Sequence, residues 1–469
     1  MHDSLACGHA GGGRDGRDCR RSWGFGRRAA AKKGRQLLEG VVLHRTVVLR
    51  RLGGNEAGEK AFWRFLHNAQ VSEAALIAAA KEHLLSQVAG RRVLAIQDTS
   101  EINFSQHKRG KAAFGRGGNG SDPAFFVHPL LVIDADSGVV LGLADVQLWE
   151  RHGRAPDDGR ARPTADKESQ RWLTGAQVAA SLRAAGAIEV TVISDREGDT
   201  YPTFASRPAE VELLVRAQAN RVLANGGHLY SSLDRLPVAQ YFTLDLPAIP
   251  GRAARRATMA LRFAPVCLRR PQHSVDRDLP ASVTLYALDV REIDPPPGVE
   301  AVHWRLLSSA PIETLAQAHQ AIAAYRCRWQ IEQLFRTTKS QGLGLEDSQI
   351  ETPAALRKLA IIALRAAVIC LQLVEARDGS DDRPATAVFS AEDVEVLEAI
   401  APTVNGKTQR LANPFPARSL PWAAWIIARL GAWSGANNAK PPGPITMHRG
   451  LLSFRHIARG FRLKNVSAP

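Results

Sequence analysis

Two short segments of the same design decide the fold of this chain: RRVLAIQDTSEINF at residues 91–104 and AIEVTVISDREGDTY at residues 187–201. Each contains a short aliphatic and β-branched run, which predicts a strand, and each run ends at an aspartate, Asp98 or Asp195. Side chains at the carboxyl ends of strands in an open α/β sheet face the crevice where ligands bind. Taken alone, an aspartate in such a position is more often a turn residue or a helix cap. Together they favour an α/β fold with carboxylates in a ligand-binding crevice.

A third segment, AYRCRWQIEQLFRTTKS at residues 324–340, supplies a further carboxylate. We predict one helix, whose apolar side carries Ala324, Cys327, Ile331 and Leu334. A narrow polar stripe on the other side contains Tyr325, Arg328, Glu332, Arg336 and Lys339. A lone acid among three cations and a phenol suits a metal ligand beside a phosphate backbone, although a surface ion-pair network is an open alternative.

The three carboxylates suggest a metal-dependent reaction at a phosphodiester. Asp98, Asp195 and Glu332 offer hard oxygen ligands of the kind that Mg²⁺ or Mn²⁺ prefers. Two such ions, about 3.5–4 Å apart, would stabilise the attacking and leaving oxygens of an in-line displacement. In this hypothesis Asp98 bridges both ions, and Asp195 and Glu332 each hold one. No covalent nucleophile is needed.

The order Asp98, Asp195, Glu332, with Y-x2-R-x3-E-x6-K around the glutamate, closely resembles the DDE transposases of bacterial insertion sequences. Within them the chain is most similar to insertion-sequence family four, the group that includes the transposon-five transposase. The resemblance spans about residues 53–465 and includes QDTSEINFS, KESQRW, ISDREGD and VHWRLLSS. It implies an RNase H-like catalytic core, cut-and-paste transposition of double-stranded DNA, and a homodimer that pairs two transposon ends.

The resemblance also implies roles in DNA handling. Trp304 would stack on a base flipped from the transposon end, and Tyr325, Arg328 and Lys339 would hold the flanking phosphates. Trp304 could instead be an ordinary residue of the β-rich region. Arg336 stands where family members often have lysine, so its role is less defined. From the sequence itself, Arg216 is a further candidate for a backbone contact, and Lys108, Arg109, Lys111 and Arg116 lie in a basic, glycine-rich loop available to phosphates.

Composition is consistent with a nucleic-acid partner. The chain has 469 residues and a formal net charge of +15, which favours polyanions. We expect no membrane association, because the most apolar stretch, residues 359–374, is short and contains Arg365. No secretion signal is recognised, and five scattered cysteines without CxxC pairs indicate a reducing cytoplasm and no zinc site.

The predicted organisation is an RNase H-like α/β core with a β-rich insertion between helical ends. Its parts are a basic arm (1–52), a helical DNA-binding remnant (53–90), the first part of the core (91–210), the β-rich insertion (211–311), the second part of the core (312–380) and a helical dimerisation region (381–469). Residues 1 to about 50 are rich in arginine and lysine without a clear helical stripe. We therefore expect them to be poorly packed and to bind DNA through charge alone.

Two other classes of function fit parts of the pattern. The chain could be an RNase H-like nuclease that recognises DNA structure and cleaves without joining strands. It could also be a domesticated, non-catalytic DNA-binding protein. The complete set of three carboxylates argues against the second, and Trp304 together with the full YREK spacing argues against the first.

Overall fold

The computed structural model describes residues 28–153, 162–246, 253–339, 342–406, 408, 411–435 and 441–466. The helices are α1 to α13: Arg28–His44, Leu49–Gly53, Glu56–His67, Glu73–Leu85, Gln170–Ala184, Tyr201–Ala205, Leu229–Asp234, Leu315–Arg326, Trp329–Thr338, Pro353–Glu375, Ala391–Val404, Leu420–Leu430 and Pro444–Val466. The strands are β1 to β10: Arg92–Gln97, Ser100–Asn103, Ala124–Asp134, Val140–Trp149, Glu189–Ser194, Glu212–Arg216, Gln240–Leu246, Arg255–Arg269, Ser282–Ile293 and His303–Ser308.

All ten strands belong to one mixed sheet. The order along its path is β2-β3-β1-β5-β6-β10-β9-β8-β7, and β4 pairs with β3. The central strands β1, β5 and β6 run parallel, whereas β10, β9, β8 and β7 are joined by antiparallel pairing. The expected α/β class is confirmed at this level, and β3 and β4 form an antiparallel hairpin.

The predicted β-rich insertion is continuous with the central sheet. Its first strand, β6, pairs with β5 of the core, so that Leu214 lies opposite Ile193, and its last strand, β10, pairs with β6. Because backbone hydrogen bonds join the core to the insertion, the insertion is not a separate all-β domain.

The long helix α10 forms the centre of the helical layer and packs against α1, α4, α9 and β4. The segment Pro353–Asp378 is, among the described residues, the one helix long and apolar enough to cross a membrane. The prediction that this apolar stretch is too short to cross a membrane, made from residues 359–374, is therefore wrong. However, 67% of its most apolar window is buried inside the protein, as is usual for a core helix.

The amino-terminal region differs from the expectation. Helix α1 buries Leu37, Leu38, Val41 and Val42 in the main hydrophobic core and contacts α10. These positions recur at helical spacing, which the surrounding basic residues obscured in the sequence. The prediction of a poorly packed segment is therefore wrong for residues 28–50, whereas residues 1–27 lie outside the described part of the chain.

A buried carboxylate connects α10 to the β3–β4 hairpin. The Glu375 carboxylate accepts a hydrogen bond from the Val140 backbone N–H at 2.9 Å, while the Gln372 side chain donates to the Val140 carbonyl at 3.1 Å. Burial raises the pKa of Glu375 to about 7 from its ordinary 4.5, although the Val140 N–H opposes the rise. The protein therefore favours the protonated form of this group.

We predict that Glu375→Gln stabilises the protein above neutral pH. Because the pKa is higher in the folded protein, binding of the proton by Glu375 stabilises the fold, and this contribution is fully present below pH 4.5. It is lost as the pH rises through 7, which lowers the free energy of unfolding by about 3 kcal/mol. Glutamine keeps the acceptor for Val140 without the charge. Thermal unfolding should show a higher Tm for the variant at pH 8 and a small difference at pH 4.5. The exposed control Glu395→Gln should show no such pH dependence, and an equal effect at both pH values would contradict the assignment.

Candidate functional site

The parallel pairing of β1 and β5 places Asp98 and Asp195 side by side at the carboxyl ends of the two strands. Ile96 lies opposite Ile193, and each aspartate follows two residues later, at the carboxyl end of its strand. The Asp98 carboxylate accepts the Thr99 backbone N–H at 2.8 Å, and Asp195 accepts the Arg196 N–H at 2.6 Å. These local hydrogen bonds fix one oxygen of each carboxylate.

The helix expected to carry the glutamate is divided in two. Helix α8 ends at Arg326 and α9 begins at Trp329, with Cys327 and Arg328 in a turn between them. The prediction of one continuous helix is therefore wrong at this point. Tyr325 lies in the last turn of α8, and Glu332 lies in the first turn of α9.

All three predicted carboxylates converge on the Arg328 guanidinium. Its Nη1 atom lies 3.1 Å from Asp98 Oδ2 and 4.0 Å from Asp195 Oδ2, and its Nη2 donates to Glu332 Oε1. The Arg328 side chain is 15% exposed, so solvent screens these contacts only partly. One cation therefore holds three acids at the edge of the sheet.

The site is electrostatically unbalanced. Burial raises the pKa of Asp98 to about 6, although Arg328 and the Thr99 N–H oppose the rise. Burial acts to lower the pKa of Arg328, and Tyr325 with the three carboxylates together raise it above its ordinary value. Three acids exceed the single positive charge among them, so the group has the character of a cation site.

Three more predicted residues lie near this group. The Tyr325 ring is buried and lies 5.8 Å from the Trp304 ring, centroid to centroid. Burial raises the pKa of Tyr325 to about 12, with Asp195 acting in the same direction. Arg216, at the end of β6, donates to the His303 carbonyl at 3.2 Å. Trp304 and Arg216 also line a cavity of about 750 Å³ beside β10.

The remaining predicted residues lie elsewhere. The Lys339 ammonium is 3.9 Å from Glu346, and burial lowers its pKa. Arg336 lines a different cavity with Gln333 and Cys370, between α9, α10 and α13. Lys111 is buried and donates to the carbonyls of Ser348 and Ile350 between two phenylalanine rings, so its predicted availability to phosphates is wrong.

The residues that could hold a divalent metal are Asp98, Asp195 and Glu332. Their oxygen donors suit Mg²⁺ or Mn²⁺, and the desolvation of Asp98 favours a nearby positive charge. In the described part of the chain, no three Asp, Glu, His or Cys side chains stand in the arrangement that a metal needs. The Arg328 guanidinium lies among the three acids and supplies positive charge there, while their oxygen atoms are donors of the kind that a divalent metal takes.

Arg171 lies in the KESQRW motif, but the sequence predicted no role for it. Arg171 donates to the Thr99 hydroxyl at 2.9 Å and to the Glu197 carboxylate at 2.7 Å. Thr99 follows Asp98, and Glu197 lies two residues after Asp195. The only available signal was the arginine itself, because the contacts form between segments far apart in sequence.

We predict that Arg328→Gln increases the affinity of the DNA-free protein for Mn²⁺. The substitution removes the cation that the three carboxylates now contact, and we expect about tenfold tighter binding, or about 1.4 kcal/mol. Titration of free Mn²⁺ by electron paramagnetic resonance measures it. Arg326→Gln is the matched control, because that exposed guanidinium contacts the Asp245 carbonyl instead of the acids. Unchanged Mn²⁺ affinity in Arg328→Gln would show that Arg328 does not compete with the metal.

A model of a known protein family matches part of this chain. Residues 176–369 match the family model of the transposase DDE domain. The matched segment begins after Asp98 and contains Asp195, Arg328 and Glu332. This match supports a DDE transposase, a class of enzyme that acts on DNA as nuclease and strand transferase and generally depends on divalent metals.

Proposed function

We propose that this protein catalyses cut-and-paste DNA transposition, as a member of insertion-sequence family four with an RNase H-like core. The observation that carries the proposal is the convergence of Asp98, Asp195 and Glu332 around Arg328 at the carboxyl edge of β1 and β5. The order of the three acids along the chain and the match to the transposase DDE domain support the same assignment.

In the proposed mechanism the three carboxylates hold divalent metal, with Mg²⁺ or Mn²⁺ the suitable ions. When bound, the metal would activate water and stabilise the attacking and leaving oxygens of the phosphodiester. Once a metal neutralises the carboxylates, Arg328 would be able to leave them and form bidentate hydrogen bonds to a DNA phosphate. DNA binding and metal binding would then assist each other, because each favours the displaced position of Arg328.

The surface beside β10 suits a displaced nucleotide. Trp304 presents a partly exposed ring, and Arg196, Arg216 and Arg305 line the adjoining cavity. A flipped base would stack on the indole while arginines and Tyr325 hold the neighbouring phosphates. Lys339 is a further candidate for contact with a DNA phosphate. Arg336 lines the separate cavity between α9, α10 and α13, so it would contact DNA only if the bound DNA extended to that cavity.

Two alternatives remain as outcomes of experiment. A structure-directed nuclease would cleave DNA without joining strands, and a domesticated DNA-binding protein would do neither. Asp98 is partly buried, its desolvation raises its pKa, and it lies near two more carboxylates; this combination favours a catalytic site over a purely binding one. Dimeric pairing of transposon ends through residues 381–469, and a location with the bacterial nucleoid in the cytoplasm, belong to the same proposal.

The first test is Glu332→Gln. This change removes a ligand charge while leaving the surrounding cations in place, so nicking and strand transfer should fall by at least about 100-fold while DNA binding changes little. The substrate is a duplex taken from the DNA flanking the coding region, assayed in Mg²⁺ with a labelled 3′ end. Glu313→Gln, an exposed acid before α8, is the control. Wild-type cleavage by Glu332→Gln would defeat the proposed chemistry, and cleavage without joined products in the native protein would indicate a nuclease.

The second test concerns Trp304. Loss of stacking in Trp304→Ala should slow steps that need the displaced base by about tenfold or more, since a stacked base contributes about 1–3 kcal/mol. Trp304→Phe keeps an aromatic face and should retain most activity. Duplexes with 2-aminopurine at successive end positions would report unstacking through fluorescence. If Trp304→Ala gives wild-type fluorescence and cleavage, the ring is a structural residue of β10.

A further inference from the structure

A single guanidinium joins the two loops that carry the aspartates. Arg171, at the start of α5, donates from Nε to the Thr99 hydroxyl at 2.9 Å and from Nη2 to Glu197 at 2.7 Å. Thr99 is adjacent to Asp98, and Glu197 belongs to the turn that begins after Asp195. These contacts fix the separation of the two loops through side chains in addition to the β1–β5 pairing.

The Arg171 side chain is itself firmly held. Its Nη1 atom donates to the Glu168 carbonyl at 2.8 Å, and the guanidinium lies over the rings of Trp149 and Trp172, 5.4 and 5.1 Å from their centroids. The side chain is 12% exposed. An arginine restrained on several sides is suited to fixing other groups, because little freedom remains to be lost.

A directional chain of hydrogen bonds continues from Thr99 into the core. The Trp172 carbonyl can only accept, so the Gln97 amide donates to it at 3.1 Å and turns its oxygen to His128 Nε2, at 3.2 Å. His128 Nε2 therefore carries the hydrogen, and Nδ1 accepts from the Thr99 hydroxyl at 2.9 Å. The Thr99 oxygen is then free to accept from Arg171. Every donor in the chain points in one direction.

His128 suits this chain as a neutral imidazole. It is fully buried, its ring meets Trp172 edge to face, and burial holds its pKa well below the ordinary value, with Arg171 acting in the same direction. A neutral ring with its hydrogen on Nε2 satisfies both neighbours. The proposed reaction gives His128 no other task.

We infer that Arg171 is a positioning residue: through Thr99 and Glu197 it fixes the Asp98 and Asp195 loops at the separation that metal binding needs. The inference rests on the proposed function. The Thr99 N–H holds Asp98 Oδ1 at 2.8 Å, so fixing Thr99 also orients the carboxylate beside it. The other oxygen of Asp98 stays directed towards Arg328, where the metal would bind. Arg171 itself contacts none of the three acids.

The test compares Thr99→Val with Thr99→Ser. Valine keeps the shape but removes the hydroxyl, whereas serine keeps the link between Arg171 and His128. With a short duplex present, we expect Thr99→Val to weaken Mn²⁺ binding by about tenfold and Thr99→Ser to bind within about twofold of the native protein. Electron paramagnetic resonance measures free Mn²⁺. The ¹⁵N shifts of His128 should change in Thr99→Val alone, which a general loss of packing would not reproduce.

Equal Mn²⁺ binding by Thr99→Val and the native protein would overturn the inference, and so would equal impairment of Thr99→Val and Thr99→Ser. If Thr99→Val does not fold, Arg171→Lys gives the same test, because an ammonium cannot hold both loops as the guanidinium does. Native-like binding in that variant would also overturn it. Failure of the native protein to cleave any duplex would instead defeat the proposed function, while the comparison of Mn²⁺ affinities would still measure positioning.

Discussion

The structure depends on the neutralisation of negative charge at the carboxyl edge of the sheet. Asp98 is largely desolvated, and Asp195 and Glu332 lie within reach of the same guanidinium. Removing a carboxylate from water is costly unless a cation or several donors compensate it. Arg328 returns one positive charge to three acids, so the group retains an affinity for further cations. This unbalanced arrangement is the physical basis of the proposed metal site.

The sheet provides the frame that makes such crowding possible. Strands β1, β5, β6 and β10 are consecutive neighbours, and they carry Asp98, Asp195, Arg216 and Trp304 at or near one edge. Backbone hydrogen bonds set the separation of adjacent strands, and the Arg171 contacts hold the two loops that carry the aspartates. The β-rich insertion is part of this frame. A base stacked on Trp304 would therefore be held at a fixed distance from the carboxylates.

Sequence reasoning reached those features that local patterns encode. The apolar runs before Asp98 and Asp195 predicted both strands, which the structure contains as β1 and β5. It missed the break at Cys327–Arg328, where no glycine or proline marks the turn. The burial of Lys111 was not predicted from the sequence, and neither was the chain of hydrogen bonds that runs from Arg171 through Thr99, His128 and Gln97 to the Trp172 carbonyl. Those features arise from contacts between segments that are far apart in the sequence, and no local pattern encodes such contacts.

The formal charge of +15 overstates the positive surface available to DNA. Lys111 and Lys358 are buried, and each donates to two backbone carbonyls instead of facing solvent. Arg328 is occupied by carboxylates, and Arg171 by the loops that carry two of them. Cations that bind carbonyls in the interior stabilise the fold but release no counterions from DNA. The salt dependence of DNA binding should therefore follow the exposed arginines and lysines, and only the displacement of Arg328 by a phosphate would bring one of the interior charges into contact with the substrate.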